Sequence, residues 1–229
     1  MSFQPLSPGA VTNLVPNIYD NWRLAELLRV FPMLTVQPIV NSHIRVAGSM
    51  AFAFKYRELE CIEDSYAVSI EIPDDFPQRL PNIRELAGRI PKKFHTDPDG
   101  TLCLGSPTRL RLAIGEAPTL LRYIRKCVIP YLYSFSYFQR HGTLPFGQLD
   151  HGSNGIRQDY ASLLGVASEN AAQEMVRLAS LRKRKANKLP CPCGSLLRVG
   201  RCHHRRINRL RSQLGRSWFS GEFQSLIRR

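Results

Sequence analysis

Prolines at positions 73, 77, 81 and 91 stand between a strand-like stretch and the chain's main run of helix-like sequence. Proline lacks the amide proton that a helix interior or a central strand requires, and its ring fixes φ. This ladder predicts an extended path over the surface and excludes one long regular element there. Before it, Tyr66-Ala67-Val68-Ser69-Ile70-Glu71-Ile72 alternates large apolar with small or charged residues. That is the period of a strand buried on one face. His43 to Gly48 and Met50 to Phe54 read as part of the same meander, with Gly48 as a bulge or bend. Earlier still, Asp20 can cap a helix over residues 19–31 whose apolar face is Trp22, Leu24, Leu27, Leu28 and Phe31. After the ladder a helix is predicted over 117–139, with Pro118 in its first turn and Leu120, Leu121, Ile124, Val128, Ile129 and Leu132 on one face. Further helices are predicted over 155–164 and from Ser168 onward. Helix, antiparallel meander, irregular segment and then helices make an α+β fold, with helices gathered to one side of a small sheet. No glycine-rich phosphate loop argues for a nucleotide site.

The charge is divided unevenly. Residues 1–176 hold 17 Lys/Arg and 17 Asp/Glu, whereas residues 177–229 hold 15 Lys/Arg and a single acid, Glu222. The whole formal charge of +14 therefore lies in the last quarter of the chain. Such asymmetry points to an electrostatic partner (nucleic acid, an anionic membrane or an acidic protein) or to a solubilising tail. The expected organisation is a globular body over 1–168, a basic helix or linker over 169–189, and a basic tail over 190–229. No run approaches the roughly 18 apolar residues of a membrane span, and the first residues lack a secretory pattern. Six cysteines in such a chain read as thiols or metal ligands, with a cytoplasmic protein as the default.

Cys103 lies three residues past the Asp99-Gly100 turn, between Leu102 and Leu104, with His95 eight residues upstream. A tight turn and an extended return can set residues eight apart across from each other. A thiol so placed can act as a nucleophile, with the imidazole or nearby amides favouring the thiolate. The alternative is a buried structural cysteine. By the same reasoning Cys61, beside Glu58, Glu60, Glu63 and Asp64, and Cys127, on an apolar helix face, read as structural.

Several pieces of the segment combine in order: a strand ending at Ile72-Pro73, Asp75-Phe76-Pro77, Leu80-Pro81-Asn82-Ile83, and Asp99-Gly100-Thr101-Leu102-Cys103-Leu104. Together they resemble the ubiquitin-conjugating enzyme family, whose fold is an antiparallel meander with flanking helices. The stretch Gly142 to Gly147, with His151-Gly152, Gly155-Ile156 and Tyr160, is similar to the closing segment of divergent bacterial members. The resemblance implies that Cys103 carries the C-terminal acyl group of a protein as a thioester and passes it to a lysine amine on a target. An activating enzyme would supply the donor. The bacterial relatives are associated with antiphage (CBASS) operons, so a cyclic-oligonucleotide synthase or a ubiquitin-like protein is the expected donor. The sequence departs from the eukaryotic pattern at one important place. His95 stands where those enzymes carry the Asn that supports the tetrahedral intermediate, which makes His95 a candidate oxyanion donor or general base. A second, non-catalytic reading is a silent fold of this type whose tail binds nucleic acid.

In the tail, Cys191-Pro192-Cys193-Gly194-Ser195 is followed nine residues after Cys193 by Cys202-His203. Three thiols and one imidazole form a closed tetrahedral set suited to structural Zn2+. The spacing resembles the SEC-C zinc motif, with Leu196 replacing its usual Gly, and His204 competes with His203 for the fourth place. Beyond it Ile207, Leu210, Leu214 and Trp218 form an approximate helical stripe among arginines.

Overall fold

The structure, a computed structural model, describes residues 22–40, 43–145 and 152–228. It comprises two compact units. The first holds residues up to Leu104 together with Ala117–Phe146, and the second holds Gly105–Glu116 and Gly147–Arg229. This division differs from the expected one: residues 155–164 and 169–180 share a core with the C-terminal helix rather than separating a body from a tail. The reason is apolar patterning. Each of those helices carries an apolar stripe that must be covered by a neighbouring element.

The first unit is α+β. Helix α1 (Leu24–Val30) leads into a four-stranded antiparallel sheet in the order β1 (Leu34–Val40), β2 (His43–Lys55), β3 (Cys61–Ile72), β4 (Asn82–Glu85). The predicted strand 66–72 is the C-terminal half of β3, and the two predicted pieces around Gly48 form one uninterrupted strand. Gly48 is not a break. It pairs with Leu34 and Val68, and a Cβ there would stand 2.0 Å from the Met33 carbonyl oxygen, so the close approach of β1 requires glycine. Alternation holds along both long strands: Ile44, Val46, Met50, Phe52, Ile62, Tyr66, Val68, Ile70 and Ile72 are buried, while Arg45, Ser49, Ala51 and Ala53 face outward.

The proline segment is partly buried and contains β4, which the sequence reading did not anticipate. Phe76 is 5% exposed, accepts a hydrogen bond from the Trp22 indole on its carbonyl (3.2 Å), and meets the Trp22 and Tyr123 rings edge-on. The Phe76-Pro77 peptide bond is cis.

The predicted helix 117–139 is observed as α3 (Leu120–Tyr123), a π-helical turn (Ile124–Val128) and α4 (Ile129–His141). Thr119 caps α3 by accepting the Arg122 amide, so Pro118 precedes the helix instead of lying in its first turn. Pro130, which cannot donate to the preceding turn, is the second residue after the widened π turn. Leu120, Ile124, Val128, Leu132 and Phe135 are buried, and α4 packs on β2 and β3. Asp20 and the rest of residues 19–21, and Phe146 to His151 of the expected closing segment, lie outside the described residues.

The second unit is helical: α2 (Pro107–Ile114), α5 (Gly152–Leu164), α6 (Glu169–Ser180), α7 (Lys183–Ala186), a 3-10 turn (Val199–Arg201) and α8 (His204–Arg228). Ser106 and Ser168 cap α2 and α6 by accepting the Arg109 and Ala171 amides. Non-helical backbone at Gly215 divides α8 into two segments. Its stripe is buried at Ile207, Leu210, Phe219 and Leu226 and packs mainly on α6. A polar network crosses this core. Tyr160 bonds Thr108 and the Glu222 carboxylate (2.8 Å), and the Trp218 indole donates to Thr108 (2.9 Å). Glu222, the one acid of the basic region, thus has an internal partner.

Candidate functional site

Two groups of chemically capable side chains stand out, one in each unit. In the first, residues 94–103 form a small hairpin. Asp97 donates to Thr101 (2.8 Å), Gly100 closes the turn onto Asp97 (2.9 Å), and Thr96 bridges Leu102. The Cys103 amide donates to the His95 carbonyl at 2.7 Å, so the two candidates sit opposite each other in register, as the eight-residue spacing predicts. The Asp99 carboxylate pins the turn by accepting from the Thr101 amide (3.0 Å) and hydroxyl (2.9 Å) and from Arg84 (3.0 Å). These bonds hold Asp99 below the usual carboxylate range, the Thr101 amide contributing most. The return arm extends the sheet, because Leu102 donates to the Ile83 carbonyl of β4 (2.8 Å) and Thr101 bridges Arg84.

His95 adopts a left-handed backbone, φ 41°, which is uncommon for a residue other than glycine. Its neighbours hold it there. The Tyr131 hydroxyl of α4 lies 2.9 Å from the Phe94 carbonyl and 3.1 Å from that of His95, and Thr96 donates to Phe94 (2.9 Å). The Phe94 ring packs against Phe135 (4.7 Å), Phe138 (5.5 Å) and Tyr131 (6.0 Å), and meets the His95 ring edge-on at 5.4 Å. Burial pushes the Tyr131 phenol up, and negative charge on Cys103 adds to that. Tyr131 was not singled out by sequence. It reads there as one more apolar helix position. Cys103 itself is partly exposed, whereas Cys127 is buried and its thiol is pushed up to about 12 by that burial. Cys61 is exposed at the start of β3. His141 is engaged elsewhere, 2.9 Å from Glu60 and with its ring tilted against that of Tyr137 at 4.2 Å, and His151 lies outside the described residues.

In the second unit, Cys191, Cys193, Cys202 and His203 come together with all four ligand atoms within 4.8 Å of one another. Cys191 Sγ and Cys202 Sγ lie 3.3 and 3.1 Å from His203 Nδ1, and Cys193 Sγ lies 3.5 Å from Cys202 Sγ. Tetrahedral bonds of about 2.3 Å to sulfur place ligand atoms roughly 3.8 Å apart, which this set matches closely enough to close around one ion. The knuckle is built by left-handed backbone at Gly194 (φ 80°) and Leu196 (φ 60°), so Leu196 adopts the conformation that a glycine would favour. A short ladder ties its arms: Cys191 to Leu197 (2.7 Å), Val199 to Leu189 (2.9 Å) and Gly200 to Asn187 (3.1 Å). His203 Nε2 is 3.3 Å from the Gly165 carbonyl. A proton on Nε2 leaves Nδ1 free as the ligand, the usual outer support of a metal-bound histidine. His204 is outside the cluster, and its buried Nδ1 has no hydrogen-bond partner among the described residues. Burial raises the Cys191 thiol, while the Ser195 hydroxyl chiefly lowers Cys193.

Among the described residues no helix is long and apolar enough to cross a membrane. No protein-family model, curated protein or solved structure matches this chain.

Proposed function

We propose that the first unit is a ubiquitin-conjugating-type acyl carrier with Cys103 as its nucleophile, and that the Cys/His cluster of the second unit holds a structural zinc ion. The observation that supports the carrier most is the hairpin in which a partly exposed Cys103 faces His95 across a backbone hydrogen bond. A 1-2-3-4 antiparallel meander backed by helices is the frame such a domain uses. In the proposed reaction the Cys103 thiolate attacks the carbonyl of a donor protein's activated C-terminal thioester, and the donor's thiol leaves as the new thioester forms. A lysine amine of the acceptor then attacks, Cys103 leaves as thiolate, and the amine proton passes to a base as the isopeptide bond forms. His95 is the proposed oxyanion donor or base. Three thiolates and one imidazole, all from the protein, make a closed site that favours zinc and leaves no open position for catalysis.

The test supplies the wild-type chain with a donor protein activated as a C-terminal thioester, ideally one encoded by a neighbouring gene. A thiol-sensitive adduct is expected on wild type, none on Cys103→Ala, and a thiol-resistant one on Cys103→Lys. An adduct that survives in Cys103→Ala would refute the assignment.

A further inference from the structure

The basic region contains arginines of two kinds, which only the structure separates. One kind is committed to the protein's own framework. Arg211 donates to the Ala179 and Leu178 carbonyls at the end of α6 (both 3.0 Å), and Arg216 donates to Ser180 (3.1 Å). These guanidiniums cap carbonyls that a helix end leaves without partners. The other kind lies between Arg182 and Arg209, where the sequence has ten Lys/Arg and no Asp or Glu. All ten are exposed, and among the described residues none of their side chains makes an ion pair or a hydrogen bond. The Arg206 guanidinium lies over Gly165.

The fold concentrates these charges. The ladder that joins 187–191 to 197–200 brings the segment bearing Lys188 against the one bearing Arg198, with Arg201 in the turn that follows, and α8 starts directly after the Cys/His knuckle, carrying Arg205 and Arg209 away from buried Ile207. Repulsion among unneutralised cations works against folding this knot, so holding them together costs stability that an anionic partner would return. We infer that the exposed face formed by residues 182–209 is a binding surface for the phosphate backbone of nucleic acid. Seven of the ten cations are arginine, whose fork matches phosphate oxygens in pairs. A protein interface would mix both signs around an apolar centre, and this face offers no acid and only Leu196 and Leu197 as exposed large apolar residues. The inference is independent of the thioester chemistry proposed for Cys103.

The test measures binding of the full-length chain to a labelled 20-base-pair DNA duplex by anisotropy, across a series of salt concentrations. Five to seven phosphate contacts predict a slope of log K against log salt of about −4 to −6. The triple variant Lys185→Glu, Arg198→Glu, Arg201→Glu should weaken binding at least about 100-fold and flatten the slope by about 3. The milder Lys185→Gln, Arg198→Gln, Arg201→Gln should flatten it by a similar amount while disturbing the fold least. A triple of equal charge change on the first unit, Arg122→Glu, Arg125→Glu, Lys126→Glu, controls for net charge, and Leu196→Ala for an apolar anchor. Three results would overturn the inference: equal weakening by the control triple, equal affinity for polyglutamate of matched charge, or a tenfold loss on Leu196→Ala with binding to anionic vesicles instead of DNA.

Discussion

Asp64 on β3 holds together three parts of the first unit, and replacing it with asparagine should cost stability only where the carboxylate is ionised. Its side chain is 16% exposed. It accepts two hydrogen bonds from Arg89 (both 2.7 Å), one from Ser136 of α4 (2.7 Å) and one from the Ser65 amide (2.8 Å). Arg89 also donates to Gln139 of α4 (2.8 Å) and lies 4.3 Å over the Tyr66 ring, so this contact ties the loop leading to His95 to both sheet and helix. Burial alone would raise the carboxyl, but the bonds from Arg89, Ser136 and Ser65 outweigh it and bring it from 3.8 to about 2. At 1.36 kcal/mol per pH unit this corresponds to about 2 kcal/mol at neutral pH. The folded-state value is the lower one, so the contribution is present in full above the unfolded value near 4. By linkage it falls to about half at pH 3 and to a few tenths of a kcal/mol at pH 2. Asp64→Asn keeps an acceptor in place and removes the charge. Urea unfolding in a Trp218→Phe background, where Trp22 is the one remaining tryptophan, reads the first unit alone. A wild-type advantage of about 2 kcal/mol at pH 7 that halves by pH 3 is expected. A gap that is the same at both pH values would show that the ionised Asp64–Arg89 pair is not its source.

Three further outcomes follow from single contacts. Cys202→Ser should lower bound metal from one equivalent toward none and destabilise the helices of the second unit, as seen in Trp218 fluorescence, because a structural metal's binding energy is folding energy; unchanged metal content would remove Cys202 from the ligand set. Gly48→Ala should cost about 2 kcal/mol or more in the unfolding of the first unit, since its Cβ would meet the Met33 carbonyl at 2.0 Å. A loss below 0.5 kcal/mol would mean that β1 can shift aside. Tyr131→Phe deprives the Phe94 and His95 carbonyls of a shared donor and should cost about 1–2 kcal/mol, with faster hydrogen exchange at the Cys103 amide. Unaltered exchange would show that the hairpin does not depend on α4.

The parts that were legible in advance are those written in local pattern. Period-two alternation marks β3 because its inner face is buried along its length, and Cys103 with His95 could be paired by counting because a turn sets the register of a hairpin. Cys191, Cys193, Cys202 and His203 were legible because ligand spacing is itself local. Gly48 was misread: a glycine required by a neighbouring strand has the same appearance as one required by a bend. Four-residue β4 sits among prolines and carries too short a pattern to register. Tyr131 looked like any apolar helix residue, and its hydroxyl gains meaning only where α4 crosses the 94–95 backbone.

The same division holds for the charges. Sequence alone determined how much positive charge the last quarter carries, and that a cluster of thiols and imidazole lies within it. Tertiary structure decided which arginines close helix ends and which remain exposed, and it chose His203 over His204 for the cluster. It also gathered α2 and the helices from α5 onward into a unit with its own core. Those outcomes depend on carbonyls, apolar faces and a Gly165 corner distant in sequence from the residues they select, and such partners meet only when the chain is folded.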